Sequence, residues 1–306
     1  MSKIVITPQG FSFVKPHLDH YFAKNNEYVF TNGIIENSTK LSMLLKNADA
    51  VVIGSEKINA SLMDSSKNLK LIVRFGTSLE NIDVIHAKKK GIKVFSIKSQ
   101  FTVDGVSRLC LSFLLNYSLN IHKHLYDSKS GKWIRYLNRP PSEIIVGLVG
   151  AGDIANGFYL LARELGFKFH YFSRNQRASF DDNGVLFHSD LTSLIKASDV
   201  VSLHIPLNFE TRNFISDQEL LLLKNKMLIN TSRAEIVNQD KLAEMIEVES
   251  MFCYFTDVLS SEPPIEKDFK LIKSPNVFST AHIGGYSEDA LLDVAMEALT
   301  ILEREL

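Results

Sequence analysis

This 306-residue sequence has few of the features that mark secreted, membrane-spanning or nucleic-acid-binding proteins. Its only cysteines, Cys110 and Cys253, stand in apolar surroundings without metal-site spacing, so buried free thiols in a reducing compartment are expected. No stretch reaches the roughly 18 apolar residues that span a bilayer, and residues 1–8 form a short strand pattern rather than a signal peptide. The net charge of −1 gives no basic field for nucleic acid or an anionic membrane. These absences predict a cytoplasmic protein with no metal site and no nucleic-acid or membrane partner.

The sequence has the composition of an ordinary globular protein, with 45% hydrophobic and 23% charged residues, and its length allows two domains. Its first hundred residues alternate short β-branched runs with amphipathic stretches such as residues 38–47 and 84–90. The predicted strands are residues 3–7, 28–31, 50–54, 69–75 and 93–97. Such alternation predicts parallel strands joined by right-handed crossovers, hence a doubly wound sheet.

A second β-α series follows a connecting region. Residues 102–124 are periodically apolar and predict one long helix, whereas residues 128–133 have loop composition. The predicted strands of the second series are residues 144–149, 168–172, 200–204, 227–230, 252–256 and 277–280, and residues 287–306 predict a closing helix. The fold class is therefore predicted as α/β, with two doubly wound parallel-sheet domains.

A glycine-rich hexamer opens the second series. Gly150-Ala151-Gly152-Asp153-Ile154-Ala155 matches G-x-G-x-x-G/A between a strand and a helix, the context of a dinucleotide-binding loop. The two glycines permit a tight turn and a close approach of the backbone to a pyrophosphate, which would meet the N–H groups of the helix. Asp153 is expected to cap that helix or to point away from the phosphates.

The choice of dinucleotide is predicted at the end of the next strand. NAD sites normally place Asp or Glu there to bind the ribose 2′-hydroxyl, whereas this sequence has Ser173-Arg174-Asn175. A hydroxyl and a guanidinium would bind a 2′-phosphate, so NADP(H) is the expected cofactor. The alternative is a solvent-facing Arg174 in an enzyme that uses NAD(H) or both cofactors.

Three residues after later strands supply a cation, a carboxylate and an imidazole. Arg233 can bind a substrate carboxylate through two hydrogen bonds and polarise a neighbouring carbonyl. Glu262, in a loop before two prolines, can hydrogen-bond an imidazole and keep it protonated. His282 follows a strand and precedes two glycines, at the edge where parallel sheets bind ligands. A helix-capping Arg, a surface Glu and a structural His are the alternatives when each is considered alone.

Taken in order, these motifs resemble a known family. Asn230-Thr231-Ser232-Arg233, Asp257-Val258 with Glu262-Pro263, and Thr280-Ala281-His282-Ile283-Gly284-Gly285 resemble the D-isomer-specific 2-hydroxyacid dehydrogenases. That family includes phosphoglycerate, glycerate/hydroxypyruvate and glyoxylate enzymes. The similarity covers nearly the whole chain, including residues 198–207, Glu210-Thr211 and Asn81-Ile82-Asp83.

The resemblance implies a role for each motif residue. Arg233 would orient the substrate, Glu262 would tune His282, and His282 would exchange a proton at the substrate oxygen. The loop of Phe75, Gly76 and Thr77 would offer backbone N–H groups to the substrate carboxylate, and Asp257 would lie near the nicotinamide amide. The other residues expected to line the cofactor are His204, Pro206, Thr211, Thr231, Ser232 and Gly284.

The resemblance also implies the domain organisation. Residues 1–98 and 286–306 would form a discontinuous, flavodoxin-like substrate domain, and residues 99–285 a Rossmann dinucleotide-binding domain. A homodimer joined through the cofactor domains is expected. The departures of Ser78, Thr102, Arg108 and Ala234 from the family pattern leave the substrate unnamed.

The expected activity is NAD(P)-dependent reduction of a small 2-oxo acid to a D-2-hydroxy acid, with NADPH favoured. A non-catalytic dinucleotide-sensing co-regulator on the same fold is the alternative from another class, although the retained Arg–Glu–His set argues against it. A different Rossmann protein, such as a methyltransferase, would account for the glycine loop and leave that set unexplained.

Overall fold

The chain divides into two compact units in a computed structural model that describes residues 1–22, 26–31, 38–247 and 253–306. Residues 1–102 with 285–306 form the first unit, and residues 103–284 form the second. Within the described residues, each unit contains one sheet. The strands of the first are β1 (Lys3–Ile6), β2 (Glu27–Phe30), β3 (Ala50–Ile53), β4 (Leu71–Arg74) and β5 (Lys93–Ser96). Those of the second are β6 (Ile145–Val149), β7 (Lys168–Phe172), β8 (Leu186–His188), β9 (Val200–Leu203), β10 (Met227–Asn230), β11 (Cys253–Thr256) and β12 (Val277–Ser279).

Helices connect the strands in both units. The described α-helices are α1 (Gln9–Val14), α2 (Ser38–Leu45), α3 (Ala60–Ser65), α4 (Val84–Lys89), α5 (Gln100–Ser118), α6 (Ile121–Lys129), α7 (Asp153–Arg163), α8 (Ala178–Asp181), α9 (Leu191–Ala197), α10 (Asp217–Leu222), α11 (Gln239–Glu247), α12 (Glu266–Ile272) and α13 (Glu288–Glu305). Short 3₁₀ helices cover Lys15–Tyr21, Pro141–Glu143 and Ala234–Ile236.

The first sheet has the strand order β2-β1-β3-β4-β5, and all of its neighbouring strands pair in parallel. This is the flavodoxin-like order predicted from the sequence, which is thereby confirmed. The last helix, α13, belongs to this unit: the Cβ of an alanine at Gly10 of α1 would lie 2.6 Å from the Leu291 side chain of α13. Ser287 begins α13 by accepting a hydrogen bond from the Ala290 N–H.

The second sheet is also parallel throughout, in the order β12-β11-β10-β9-β6-β7-β8. The order reverses between β6 and β9, as in a Rossmann fold, which confirms the predicted fold class. Every residue of β9 and β10 is buried, because helices cover both faces of the sheet. Ligands of such sheets bind beyond the carboxyl ends of the strands at this reversal, where Gly150 follows β6 and His204 follows β9.

The prediction of one helix over residues 102–124 was wrong. The chain forms two helices, α5 and α6, which are separated at Asn120 with a left-handed φ of +51°. Asparagine tolerates this conformation, and its side chain donates a hydrogen bond to the Leu137 carbonyl. The Asn116 side chain then accepts the His122 N–H and so satisfies a donor of the new helix. Residues 128 and 129, predicted as loop, form the last two residues of α6.

Two further differences concern a short strand and a partly exposed cysteine. The three-residue strand β8 was missed, because Leu186–His188 is too short for a clear periodicity. The predicted strand 252–256 begins at a residue, Phe252, that lies outside the described part of the chain. Both cysteines are free, but only Cys110 is fully buried, since Cys253 at the start of β11 is partly exposed.

The described residues contain neither a membrane-spanning helix nor a metal-binding cluster. None of the helices in residues 1–22, 26–31, 38–247 and 253–306 combines the length and the apolar character needed to cross a membrane. Over the same residues, no group of three or more His, Cys, Asp and Glu side chains is arranged to hold a metal ion.

Candidate active site

The glycine loop follows β6 and leads directly into α7. Gly150 has a φ of +102°, and a Cβ there would lie 2.5 Å from the His204 carbonyl oxygen, so only glycine fits without a shift. Gly152 stands at the N-cap of α7, and a Cβ built on it meets nothing within 4 Å. The open space therefore lies in front of the first N–H groups of α7, where Asp153 and Ile154 begin the helix. Ala155, the small third position, is fully buried.

The loop after β7 contains the predicted determinant of cofactor choice. Ser173 donates its hydroxyl hydrogen to the Asn175 carbonyl, which folds the segment into a short turn. Arg174, at the tip of this turn, is exposed. Residues 173–175 carry a hydroxyl, a guanidinium and an amide, and no carboxylate.

The predicted cofactor-lining hydroxyls stabilise the loops after β9 and β10. The Thr211 hydroxyl donates to the Pro206 carbonyl at 2.6 Å. The Ser232 hydroxyl donates to the Leu203 carbonyl at 2.8 Å, and the Thr231 hydroxyl lies 3.4 Å from the Cys110 sulfur. These contacts fix the loops after β9, which pairs with β6 at the reversal of strand order, and after its other neighbour, β10.

His204 contributes its main chain to the glycine loop. Its N–H donates to the Val149 carbonyl at 2.8 Å, and its carbonyl oxygen is the atom that Gly150 approaches. Both ring nitrogens are buried, and neither has a hydrogen-bond partner among the described residues. Burial lowers the pKa of His204 to about 3, so the ring is neutral at physiological pH.

Glu262 and His282 form a direct pair. The Nδ1 atom of His282 lies 2.6 Å from Oε2 of Glu262, and the Leu259 N–H donates to the other carboxylate oxygen at 3.2 Å. Burial acts to raise the pKa of Glu262, but the hydrogen bond and charge of His282 and the Leu259 N–H outweigh it, and the net pKa lies below its ordinary value. An ionised carboxylate on Nδ1 leaves Nε2 as the ring atom that can serve a substrate.

Arg233 immediately follows β10 and precedes the 3₁₀ helix Ala234–Ile236. Its guanidinium donates to the Ser232 carbonyl at 2.7 Å, and its own carbonyl accepts from the Asn230 side chain at 2.9 Å. The positive charge of Arg233 is one of the influences that lower the pKa of Glu262. The second unit therefore brings the three predicted reacting groups into one electrostatic cluster.

Asp257 lies just after β11 and is 2% exposed. Its Oδ1 accepts the Thr280 hydroxyl at 2.5 Å and the Ile283 N–H at 2.8 Å, and its Oδ2 accepts the Gly284 N–H at 2.8 Å. All three donors belong to the turn that carries His282. His282 itself has a left-handed φ of +54°, an uncommon conformation for a residue other than glycine.

The predicted substrate loop lies in the first unit, after β4. The Phe75 N–H donates to the Ile53 carbonyl at 2.8 Å, and the Gly76 N–H donates to the Arg74 carbonyl at 2.9 Å, so both are used within the protein. Thr77, at the tip of the loop, is exposed. The Asn81 side chain donates to the Gly54 and Glu56 carbonyls and fixes the loop to the end of β3.

Sequence reasoning missed two residues that support the His282 turn. Gly105 of α5 approaches the turn so closely that a Cβ there would lie 2.4 Å from the Gly284 carbonyl oxygen. Thr280 binds the Asp257 carboxylate. A glycine inside a strongly periodic helix is a signal for close packing that could have identified Gly105, whereas nothing in the sequence pairs Thr280 with Asp257.

The sequence is similar to those of known proteins. Residues 111–284 match the family described as "D-isomer specific 2-hydroxyacid dehydrogenase, NAD binding domain". The chain is 30% identical over 272 residues to a hydroxypyruvate reductase of Thermotoga maritima, covering 87% of this chain and 88% of that protein. It is 29% identical over 257 residues to a glyoxylate reductase of Thermococcus litoralis, covering 80% of this chain and 77% of the relative.

Solved structures show the same fold. A phosphoglycerate oxidoreductase from Vibrio cholerae O395 superposes with a TM-score of 0.86 over 100% of both chains, at 24% identity. A D-lactate dehydrogenase from Aquifex aeolicus, solved with NAD and lactic acid, gives a TM-score of 0.83 at 22% identity, covering 98% of this chain and 94% of that one.

Proposed function

The chain belongs to the D-isomer-specific 2-hydroxyacid dehydrogenase family, which makes it a nicotinamide-dinucleotide-dependent oxidoreductase, and we propose that it reduces a small 2-oxo acid to the D-2-hydroxy acid. The observation that carries this proposal is the 2.6 Å contact between Nδ1 of His282 and the Glu262 carboxylate. The relatives named after hydroxypyruvate and glyoxylate favour a short substrate.

In the proposed reaction, Arg233 binds the substrate carboxylate through its guanidinium and polarises the adjacent carbonyl. The loop after β4 in the first unit is proposed as a carboxylate-binding element: since the Phe75 and Gly76 N–H groups are already engaged, the N–H groups of Thr77 and Ser78 are the ones it can offer. The first unit thus serves as the substrate domain and the second as the dinucleotide-binding domain.

His282 is the proton donor of the proposed reduction. Glu262 accepts the Nδ1 hydrogen and, being ionised, favours the imidazolium, whose Nε2–H then protonates the carbonyl oxygen. A bound reduced nicotinamide supplies the hydride that reaches the carbonyl carbon. The oxygen gains one proton as the carbon gains one hydride, and the 2-hydroxy acid results.

NADP(H) is the proposed cofactor, with NAD(H) as a weaker one. The residues present fit a dinucleotide, because the position of a Cβ on Gly152 is open and the N–H groups of α7 border it. The exposed Arg174 and the hydroxyl of Ser173 suit a 2′-phosphate, and residues 173–175 contain no carboxylate to repel it.

A homodimer in the cytoplasm is the proposed state of the protein. Two free thiols agree with a reducing compartment. Exposed apolar side chains on α6 and in the segment after it support self-association; they are Ile121, Leu125, Tyr126, Trp133, Ile134 and Leu137. Trp133 is 89% exposed and Leu137 93% exposed, which is unusual for such side chains. Light scattering should give twice the 34.5 kDa chain mass, and W133D/L137D should give the monomer.

The activity is tested by following NADPH absorbance with glyoxylate, hydroxypyruvate, pyruvate and bulkier 2-oxo acids. We expect at least one short acid to be reduced, and the product to be the D enantiomer. Cofactor binding is measured separately by fluorescence. Bound cofactor without reduction of any acid would contradict the proposal and favour a dinucleotide sensor.

A further inference from the structure

We propose that Asp257 is a positioning residue that acts through His282 by clamping the turn on which the imidazole stands. This inference rests on the proposed function, since it assigns a second carboxylate to the same proton donor. Glu262 holds the ring of His282, whereas Asp257 holds its backbone.

The clamp uses most of the hydrogen-bonding capacity of Asp257. A carboxylate offers about four acceptor positions, and three are occupied by the Thr280 hydroxyl and the N–H groups of Ile283 and Gly284. These donors come from both sides of His282. With 2% exposure, the Asp257 carboxylate has little water to replace a lost donor.

The turn needs such a clamp because His282 is in a left-handed conformation. That conformation costs a non-glycine residue free energy and persists only where surrounding contacts impose it. On the amino-terminal side of His282, the Thr280 N–H donates to the Thr256 carbonyl and extends the sheet pairing. On its carboxyl-terminal side, the Asp257 carboxylate accepts the N–H groups of Ile283 and Gly284, so the direction of the His282 side chain is fixed from both ends.

Asp257→Asn tests the inference, because the amide keeps the size of the side chain and replaces one acceptor oxygen with a donor. The variant should lower kcat by about 100-fold, as expected for a small misplacement of a reacting group. The Kd for NADPH should change less than about twofold, since the clamp acts on His282 and not on the cofactor. An increase in that Kd with kcat retained would overturn the inference and assign Asp257 to the nicotinamide amide.

A double-mutant cycle with His282→Gln separates positioning from general destabilisation. If Asp257 acts through His282, Asp257→Asn should cost almost nothing further in the His282→Gln background. An equal loss in both backgrounds would overturn the inference.

Asp199→Asn is the matched control for Asp257→Asn: Asp199 also accepts a main-chain N–H, that of Ile145 at 2.9 Å, but at the amino end of β6. That control should leave kcat within about twofold.

Thr280→Val provides a second test if Asp257→Asn does not fold. It removes one donor to the carboxylate while keeping the branched shape, so kcat should fall less than in Asp257→Asn and again only when His282 is present. A loss that persists without His282 would count against the clamp.

The amide resonances of Ile283 and Gly284 give a readout that needs no activity. Both should move on Asp257→Asn, while the resonance of Ile145 should not. If the wild type binds cofactor yet reduces no 2-oxo acid, the proposed function fails and these resonances still decide whether the clamp exists. Unmoved resonances would overturn it.

Discussion

The backbone of Gly105 lies against the carbonyl oxygen of Gly284, at a distance that leaves no room for a Cβ: one placed on Gly105 would be 2.4 Å from that oxygen. Helix α5 therefore packs against the Gly284 carbonyl of the His282 turn, whereas the Asp257 carboxylate binds the Gly284 N–H. The glycine is required by this approach and not by its own helix, in which alanine would be the better residue.

Gly105→Ala should therefore lower turnover although alanine favours helices. The clash is with main chain, which cannot rotate away, so the turn must move or the helix must shift, at a cost of about 1–3 kcal/mol. We expect a reduced kcat with cofactor affinity retained, measured by steady-state kinetics and fluorescence titration.

Gly157→Ala is the control for that variant. It is also a glycine in a helix, α7, but its Cβ would meet the side-chain hydroxyl of Ser107 on α5 at 2.5 Å and not the main chain of the His282 turn. Stability should fall in both variants, whereas kcat should fall in Gly105→Ala only. Equal kcat values would contradict the role given to Gly105.

The two glycines of the cofactor loop should respond in opposite ways. Gly152→Val should lower the free energy of unfolding by only about 1 kcal/mol, the usual cost of losing a favourable N-cap residue, because its Cβ position is open, yet it should weaken NADPH binding at least tenfold by filling the space before α7. Gly150→Ala should destabilise the fold, because of its positive φ and its contact with the His204 carbonyl. Chemical denaturation and NADPH titration distinguish them. Normal NADPH binding by Gly152→Val would place the cofactor elsewhere.

Arg174→Ala should selectively weaken binding of NADPH. An exposed charge-assisted contact to a 2′-phosphate contributes roughly 1.5–3 kcal/mol, or about 10- to 100-fold in Kd, whereas NADH makes no such contact. The measurement is the ratio of the two Kd values at one ionic strength. Arg177→Ala, a nearby exposed arginine, is the control and should leave the ratio unchanged. An unaltered ratio in Arg174→Ala would indicate an NAD(H) enzyme.

Glu262→Gln should change the pH profile of reduction. Glutamine can still accept from Nδ1 of His282, but it carries no charge to favour the imidazolium, so kcat/KM should begin to fall at lower pH on the alkaline side. The effect of the pair on stability appears instead on the acid side. Because the pKa of Glu262 is lowered in the folded protein, it adds to the free energy of unfolding at pH values above its ordinary pKa of 4.5, and this contribution is lost as the pH falls below that value. If the pH profiles of Glu262→Gln and the wild type superimpose, the Glu262–His282 pair does not control the proton that His282 donates to the substrate.

The sequence predicted both sheets because their strands are short β-branched runs separated by helical periodicities, and the residue types of the reacting set were visible as motifs. Its failures involve contacts between distant residues. The break at Asn120 involves a hydrogen bond to the Leu137 carbonyl, 17 residues along the chain, and the role of Asp257 depends on donors beyond β12. A motif therefore identified Asp257 as part of the site, but its structural partners could be read only from the fold.

Acid should destabilise the protein through two histidines that the fold keeps neutral. Burial lowers the pKa of His122 to about 4 and that of His204 to about 3, both from an ordinary 6.5. Since the unfolded chain binds these protons first, the stability they contribute is complete above about pH 6.5 and is lost as pH falls towards the folded values. Each should add about 1.4 kcal/mol per pH unit to the slope of the free energy of unfolding in that window.

His122→Phe isolates one of the two contributions. Its ring lies 4.8 Å from that of Phe278 and 5.6 Å from that of Phe255, so a phenylalanine can keep these ring contacts, although it loses the hydrogen bond between Nδ1 and the Asn116 side chain. The free energy of unfolding, measured by urea denaturation between pH 7.5 and 4.5, should change less steeply with pH in this variant. The difference in slope should correspond to about one proton, whatever the absolute stability of the variant. His20→Gln, at an exposed position, should leave the slope unchanged. If the free energy of unfolding of His122→Phe depends on pH as steeply as that of the wild type, His122 binds its proton equally well in the folded and the unfolded protein, against the effect of its burial.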